Sequence, residues 1–163
     1  MTNNPYSSPE STLVDQSESV ADIDNFKRFS AWGVLGLSII TLGVYSMYWF
    51  YTRTEIINRI QKDVIPTFVS VGALVSYVVY FGASMISEEQ MEDPMLLTFV
   101  LISTLTYIVL YLWWVFAFRN RLLAVAIDNG RSDFKVGVIL TFIFQAIYLQ
   151  YKINEYIDQK NGA

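Results

Sequence analysis

Few side chains in this 163-residue chain could carry out chemistry, and the residues it lacks exclude most kinds of reaction centre. It contains no histidine and no cysteine, so Ser-His-Asp triads, thiol nucleophiles and Cys/His zinc sites are excluded. The carboxylates that could serve a divalent ion or an acid–base role are Glu55, Asp63, Asp128 and Asp133. They show no paired spacing, and helix caps or salt bridges explain them more simply. We therefore expect no catalytic, metal-binding or cofactor-binding residue.

Aromatic clusters followed by a basic residue are the second informative pattern. Tyr48-Trp49-Phe50-Tyr51 precedes Arg53, and the pattern recurs where Phe118 precedes Arg119 and Tyr151 precedes Lys152. Such rings followed by a base are typical of helices at the lipid headgroup layer, so the first interpretation is membrane anchoring. The second is a pocket for a lipid headgroup or a partner helix, whose residues would be Trp49, Arg53, Asn58, Lys152 and Asn154.

The elements that would position these residues are four apolar segments that contain no charged side chain. They are residues 31–51, 64–84, 95–118 and 136–151. Since a bilayer core is about 30 Å thick and a helix rises about 1.5 Å per residue, the first three are long enough to cross it. The sequence predicts an all-α integral membrane protein, a small bundle of four hydrophobic segments, with the two central segments as full spans.

The remaining residues indicate one domain with short tails. Residues 1–25 are polar and acidic and contain too few apolar residues to offset the entropy of folding. We expect them to form a disordered tail, followed by a single helical membrane domain over 26–158 and a short tail over 159–163.

The distribution of charge predicts the orientation of the loops. Residues 85–94 contain four acidic residues and no base, whereas residues 52–63 and 119–135 carry most of the lysines and arginines. By the positive-inside rule, 85–94 is external and the two basic loops are cytoplasmic. Asp93-Pro94 and Asp63 with Pro66 predict the starts of the two central helices.

The sequence is compatible with two topologies of the outer segments. If all four segments cross the membrane, some bases lie on the wrong side, namely Lys27, Arg28, Lys152 and Lys160. If segments 31–51 and 136–151 instead enter the membrane and return, every base is cytoplasmic. Segment 136–151 is short for a span, and Thr41-Leu42-Gly43 offers a break in the first segment.

Small and polar residues inside the segments predict helix packing. The positions we single out are Gly43, Gly72, Ser76 and Gln145. Gly72 and Ser76 form a small-x-x-x-small step that suits either internal packing or dimerisation. The amide of Gln145 would bond between helices or contact a ligand. The absence of ionisable groups from the apolar segments argues against proton-coupled transport.

The first and last segments show an internal similarity at an offset of 100 residues. The identical pairs are Ile39/Ile139, Thr41/Thr141, Tyr48/Tyr148, Tyr51/Tyr151, Glu55/Glu155 and Ile57/Ile157. Either a duplicated segment or coincidence among apolar residues explains them. Duplication would matter because transporters are often built from repeats, with binding sites between them.

A run of residues in the first segment resembles a known family. Phe29-Ser30, then Ile40-Thr41-Leu42-Gly43-Val44-Tyr45, Tyr48-Trp49-Phe50-Tyr51 and Asn58 resemble an uncharacterised bacterial membrane-protein family, domain of unknown function 4234. The resemblance is densest over Phe29 to Asn58. It implies the bacterial cytoplasmic (inner) membrane and brings no activity, substrate or site residue.

Together these observations predict a small multi-pass protein without enzymatic activity. We expect an accessory or scaffold protein that binds the lipid bilayer and another membrane protein or a second copy of itself, and no nucleic acid. The alternative is a subunit of an oligomeric channel or transporter. A third interpretation, a membrane enzyme acting on lipid or isoprenoid substrates, would have to use loop carboxylates such as Glu55 or Asp128.

Overall fold

The computed structural model describes residues 26–87 and 92–161, and the regular secondary structure in this part of the chain consists of helices, without a strand. The five helices are α1 (Ala31–Ile40), α2 (Val44–Ile60), α3 (Thr67–Ala83), α4 (Pro94–Asp128) and α5 (Val138–Asn161). The prediction of an all-α fold is therefore confirmed. The predicted tail over 1–25 lies outside the described residues. So do residues 88–91 of the acidic loop and the last two residues of the chain.

Helices α3 and α4 form a long antiparallel hairpin. Phe68 packs on Trp113 with ring centroids 5.6 Å apart, and a turn or two further along Tyr77 packs on Tyr107 at 5.7 Å. Between these pairs, a Cβ placed on Gly72 would lie 3.0 Å from Leu110 Cδ1. The glycine therefore lets the two helices approach closely.

The predicted starts of these two helices have different outcomes. Asp93 caps α4 as predicted, because its carboxylate accepts a hydrogen bond from Met95 N at 2.8 Å and Pro94 occupies the first turn. The predicted cap at Asp63 is wrong. Helix α3 begins after Pro66 without a side-chain cap, because the Asp63 carboxylate instead binds Arg121 of α4 at 2.8 Å.

The first apolar segment folds back on itself between α1 and α2. Ser38 Oγ and Ser46 Oγ lie 2.8 Å apart, whereas eight residues of continuous helix would separate them by about 12 Å. Leu42 and Gly43 have φ angles of 52° and 94°, and Gly43 N donates to Ser38 O at 2.7 Å. This is a Schellman ending. The structure therefore has a break at Thr41-Leu42-Gly43, where the sequence offered one.

Helix α5 also changes direction, at Gln145, where φ is 40° and ψ is −119°. The hydroxyl of Tyr148 accepts a hydrogen bond from Gly137 N at 2.9 Å, which places the helix beyond the bend beside the residues that precede α5. Further along, the rings of Phe134 and Tyr156 lie 5.3 Å apart at a nearly perpendicular angle. Neither outer segment is therefore one continuous helix. Each consists of a short helix, a break and a longer helix.

The buried core lies at the end of the α3–α4 hairpin that carries the basic segments. Trp114 and Phe118 of α4 are fully buried, and Phe50 of α2 and Leu149 of α5 pack around them. Tilted and edge-to-face aromatic contacts link Phe50 to Trp114 and Phe118 at 5.6 and 6.1 Å. This core joins both outer segments to the central hairpin.

Most of the remaining apolar surface is exposed. Among the described residues, α4 is the one helix long and apolar enough to cross a membrane, and 6% of its most apolar 18-residue window is buried inside the protein. Helices α1 and α3 are shorter and also apolar. The exposed side chains on α4 include Phe99, Leu101, Ile102 and Leu105, each more than half accessible.

Candidate functional site

A chain of hydrogen-bonded side chains joins the two outer segments. Trp49 Nε1 of α2 donates to Gln150 Oε1 of α5 at 2.8 Å, and both residues are buried. Gln150 Nε2 donates to Asn154 Oδ1 at 2.9 Å. Asn154 Nδ2 then donates to the carbonyl of Phe29 at 2.7 Å, just before α1. The network fixes the entry of the first segment against the last helix.

Arg53 lies at the edge of this network. Its Nη2 donates to Lys27 O at 3.2 Å and to Gln150 Oε1 at 3.4 Å. The guanidinium carbon lies 5.9 Å from the ring centroid of Phe26 and 6.0 Å from that of Trp49. The Nε atom is buried and has no hydrogen-bond partner within the part of the chain that the structure describes.

The charge of Arg53 is not compensated locally. No carboxylate of residues 26–87 or 92–159 forms a salt bridge with it. Burial lowers the pKa of the Arg53 guanidinium below its ordinary value, while Tyr45 and Tyr48 act in the opposite direction. Since an arginine stays protonated even so, the site retains a positive charge that is partly removed from water.

The predicted pocket of five residues does not form as one site. The structure brings Trp49, Arg53 and Asn154 together, but Asn58 and Lys152 lie elsewhere. Asn58 Oδ1 accepts from Ile65 N at 2.8 Å and its Nδ2 donates to Ile65 O at 3.0 Å, so it ties the end of α2 to the segment before α3.

Lys152 lies on the face of α5 opposite to that of Asn154. Its Nζ lies 2.6 Å from Glu155 Oε1 and 4.9 Å from the ring centroid of Phe134, and 7% of the residue is accessible. The helical period explains the separation, because residues 152 and 154 point about 200° apart around a helix axis.

Sequence reasoning missed Gln150, the residue that joins the network. Its signal was present, because an amide inside an apolar segment requires partners when it is buried. What the sequence did not provide was the partner, since Trp49 is 101 positions away. The backbone carbonyls of Phe29 and Lys27 carried no sequence signal at all.

A second feature is a cavity of about 430 Å³ where the two breaks meet the central hairpin. Tyr111 OH donates to Gln145 Oε1 at 2.6 Å, and Tyr77 OH donates to Leu42 O at 2.8 Å. The cavity is therefore lined both by Gly43 of the first break and by Gln145 of the second. Ser76, which forms the predicted small-residue step with Gly72, has a half-buried side chain on α3.

The polar groups of these two features can donate hydrogen bonds. They offer hydroxyl, indole, amide and guanidinium donors, and none is a general base near neutral pH. In the described residues no group of three His, Cys, Asp or Glu side chains lies close enough together to hold a metal ion.

Comparison with known proteins identifies the family. No curated protein and no solved structure matches the chain. A family described as a domain of unknown function (DUF4234) matches residues 29–124, which include α1 to α3 and most of α4 and end before α5. That match spans more than half of the 163 residues and contains the motif from Phe29 to Asn58. The chain therefore belongs to the DUF4234 family.

Proposed function

We propose that this protein is a small multi-pass protein of the bacterial inner membrane, with a non-enzymatic role as an accessory or scaffold that binds lipid and a membrane partner. The observation that carries the proposal is the apolar surface of α4, which the described residues leave largely uncovered. A core helix of similar composition in a water-soluble protein would be covered by its neighbours. Lipid is the solvent that suits such a surface.

The lengths agree with this placement. Helix α4 has 35 residues, or about 52 Å of helix, of which the apolar part over 95–118 contributes about 36 Å. We infer that this part and α3 cross the bilayer as a hairpin. The rest of α4, with Arg119 and Arg121, would then extend into the cytoplasm together with the basic segment 52–63.

The folded-back outer segments support the re-entrant topology over four plain spans. In the first segment, Arg53 reaches the carbonyl of Lys27, so the residues before α1 lie beside the far half of α2. Arg28 also reaches Asp158 of α5, with 3.0 Å between Nη2 and Oδ2. With both ends of each outer segment on the side of the basic loops, every base would be cytoplasmic, and this agreement with the positive-inside rule supports the re-entrant topology.

Binding of lipid or a membrane partner is supported by exposed aromatic side chains beside the basic residues. Trp32 is 78% accessible and Tyr48 is 60% accessible, and Tyr51 and Tyr151 are also exposed. Amphipathic rings at this level contact headgroups or the aromatic belts of neighbouring membrane proteins.

Fractionation and reporter fusions test the location and topology. We expect the protein in the membrane fraction after lysis without detergent, and reporters fused at Met1 and at Ala163 both on the cytoplasmic side. A folded, monodisperse protein in the supernatant would refute the membrane assignment. Reporters on the external side at both positions would refute the re-entrant topology and select four spans.

The binding role is tested separately by stripping the purified protein of lipid. We expect its thermal stability in mild detergent to fall and to recover when bacterial lipids are added back. Stability that does not depend on lipid, together with repeated purification without a partner, would count against the accessory role. This result would leave the topology untouched.

A subunit of an oligomeric channel or transporter is the second candidate, and the cavity at the two breaks favours it. Interrupted helices at membrane depth are a common way to build substrate sites in transporters. Here the breaks at Gly43 and Gln145 face one cavity that also contains Tyr77 and Tyr111. Because so few segments rarely enclose a pore alone, a strictly monomeric protein in detergent and in lipid nanodiscs would exclude this candidate.

A further inference from the structure

We propose that the cavity between the two ends of the first outer segment binds a phosphate group, with the headgroup of an anionic phospholipid as the fitting source. The inference rests on the proposed membrane location and names the ligand of the accessory role. We call this cavity the basic cavity. It has a volume of about 300 Å³ and its basic lining residues are Lys27, Arg28 and Arg53.

The fold creates the basic cavity by reversing the chain. Lys27 and Arg28 precede α1, whereas Arg53 lies in α2, beyond the turn at Gly43. In an uninterrupted helix, 25 residues would separate Lys27 from Arg53 by nearly 40 Å. In the folded protein Arg53 donates to the main chain of Lys27.

The charges in the basic cavity are not balanced. Among the residues that the structure describes, its lining includes three basic residues and no carboxylate. Arg28 is paired with Asp158, in a contact where both side chains are about half exposed or more. Lys27 and Arg53 form no salt bridge within residues 26–87 and 92–159. An anion bound there would meet two uncompensated cations and a third at its rim.

Arg53 also offers an unused donor. Its Nε atom is buried without a hydrogen-bond partner among the described residues, and a buried polar group in this state is costly unless a ligand or water satisfies it. A guanidinium presents its donors in a planar fork that matches the oxygens of a phosphate. Lys27 would add a mobile point charge.

The position of the basic cavity favours a lipid over a soluble anion. It is also lined by Tyr45, Tyr48 and Trp49, the aromatic residues that mark the headgroup level of the first segment. A phosphodiester of phosphatidylglycerol carries one negative charge at this depth. Free phosphate shares the same chemistry, so the experiment must separate the two sources.

The test measures lipid binding by native mass spectrometry of the full chain in a neutral detergent at physiological salt. Phosphatidylglycerol is titrated against phosphatidylcholine, which has a phosphate but no net charge. The variants are Lys27→Gln and Arg53→Gln, and the matched control is Arg59→Gln. Arg59 is an exposed arginine on the same helix, outside the basic cavity, so its replacement removes the same charge at the same end of the protein.

We expect Lys27→Gln and Arg53→Gln each to weaken phosphatidylglycerol binding about tenfold, the effect of losing one charge-assisted hydrogen bond. Arg59→Gln should stay within about twofold of the wild type, because an exposed charge outside the site contributes little at this salt concentration. Lys27→Gln leaves the carbonyl that Arg53 uses in place, so it tests the site even where Arg53→Gln perturbs folding.

The remaining outcomes separate the possible failures. Competition by millimolar inorganic phosphate would support the phosphate site and show that soluble phosphate also enters it. Equal losses in Arg59→Gln and Lys27→Gln, or equal binding of phosphatidylcholine, would overturn the proposal, because binding would then reflect diffuse charge or general lipid contact. If the wild type binds lipid and neither cavity variant weakens it, the site is wrong while the accessory role stands. If the wild type binds no lipid and needs none for stability, the accessory role itself fails.

Discussion

Replacing Gly43 with alanine is the sharpest test of the fold described here, because the reversal of the first segment depends on this residue. Gly43 has a φ of 94°, and a Cβ built on it would lie 3.3 Å from the hydroxyl oxygen of Tyr77. That hydroxyl donates to Leu42 O at 2.8 Å. An alanine side chain therefore strains the backbone and presses on a hydrogen bond that holds the turn against α3.

The expected cost of Gly43→Ala combines these two effects. A left-handed conformation costs a residue with a Cβ about 1–2 kcal/mol. Displacing the Tyr77 hydroxyl forfeits up to about 1 kcal/mol, the net value of a hydrogen bond. Together they predict a loss of stability of about 1–3 kcal/mol.

A double-mutant cycle separates the two effects. Tyr77→Phe removes the hydroxyl and should cost about 1 kcal/mol alone. In the double variant the Cβ no longer meets a hydroxyl, so the total cost should fall short of the sum of the single costs by up to about 1 kcal/mol. The matched control is Gly36→Ala in α1, where a Cβ would meet no atom within 4 Å. It should be neutral or stabilise by up to about 1 kcal/mol, because alanine is the better helix former.

The assay is thermal or chemical denaturation of the purified variants in one detergent, followed by gel filtration with tryptophan fluorescence. Equal stabilities of Gly43→Ala and Gly36→Ala would refute the reversal at Gly43. If the stability losses of Gly43→Ala and Tyr77→Phe simply add in the double variant, the contact between the turn and α3 is refuted. Backbone strain at residue 43 would then explain the whole loss in Gly43→Ala.

Two further substitutions test how the core is joined, each by denaturation in the same detergent. Asn58→Ala should lower stability by about 2 kcal/mol. It leaves the N–H and C=O groups of Ile65 without their partners, and Ile65 is only 1% accessible. A loss no larger than that of an average surface substitution would contradict the contact between Asn58 and Ile65. Trp114→Phe should cost about 1–2 kcal/mol, because Trp114 is fully buried and its Nε1 donates to Thr54 Oγ1 at 2.8 Å. Trp113→Phe is the control, because Trp113 is 49% accessible, and it should change stability by less than about 0.5 kcal/mol. Equal effects at the two tryptophans would contradict the difference in burial between them.

Local signals in the sequence predicted several elements correctly. Asp93-Pro94 predicted the start of α4, since a capping carboxylate and a proline in the first turn act within a few residues. Thr41-Leu42-Gly43 likewise marked the break in the first segment, where Leu42 and Gly43 have positive φ angles. The same kind of reasoning failed at Asp63, because a carboxylate three residues from a helix can find a better partner on another helix.

The two outer segments, whose sequences are similar, also have similar secondary structure. Residues 31–60 and 138–161 each contain a short apolar helix, a residue with positive φ and a longer helix that carries polar groups. The sequence matched Tyr48 with Tyr148 at the offset of 100 residues, and in the structure both follow the break of their own segment. The common architecture is a fact of the fold, and duplication and coincidence both remain explanations of the identical pairs.

By itself the sequence determined the family, the helical class and the absence of histidine and cysteine, because each follows from residue types or from patterns a few residues long. Only the tertiary structure decided which polar residues meet. The indole of Trp49 bonds to the amide of Gln150, which is 101 positions away. The guanidinium of Arg53 bonds to the carbonyl of Lys27, which is 26 positions away. A reversal of the chain at a positive φ brings such groups within hydrogen-bond distance, and no local pattern records which of them will be neighbours.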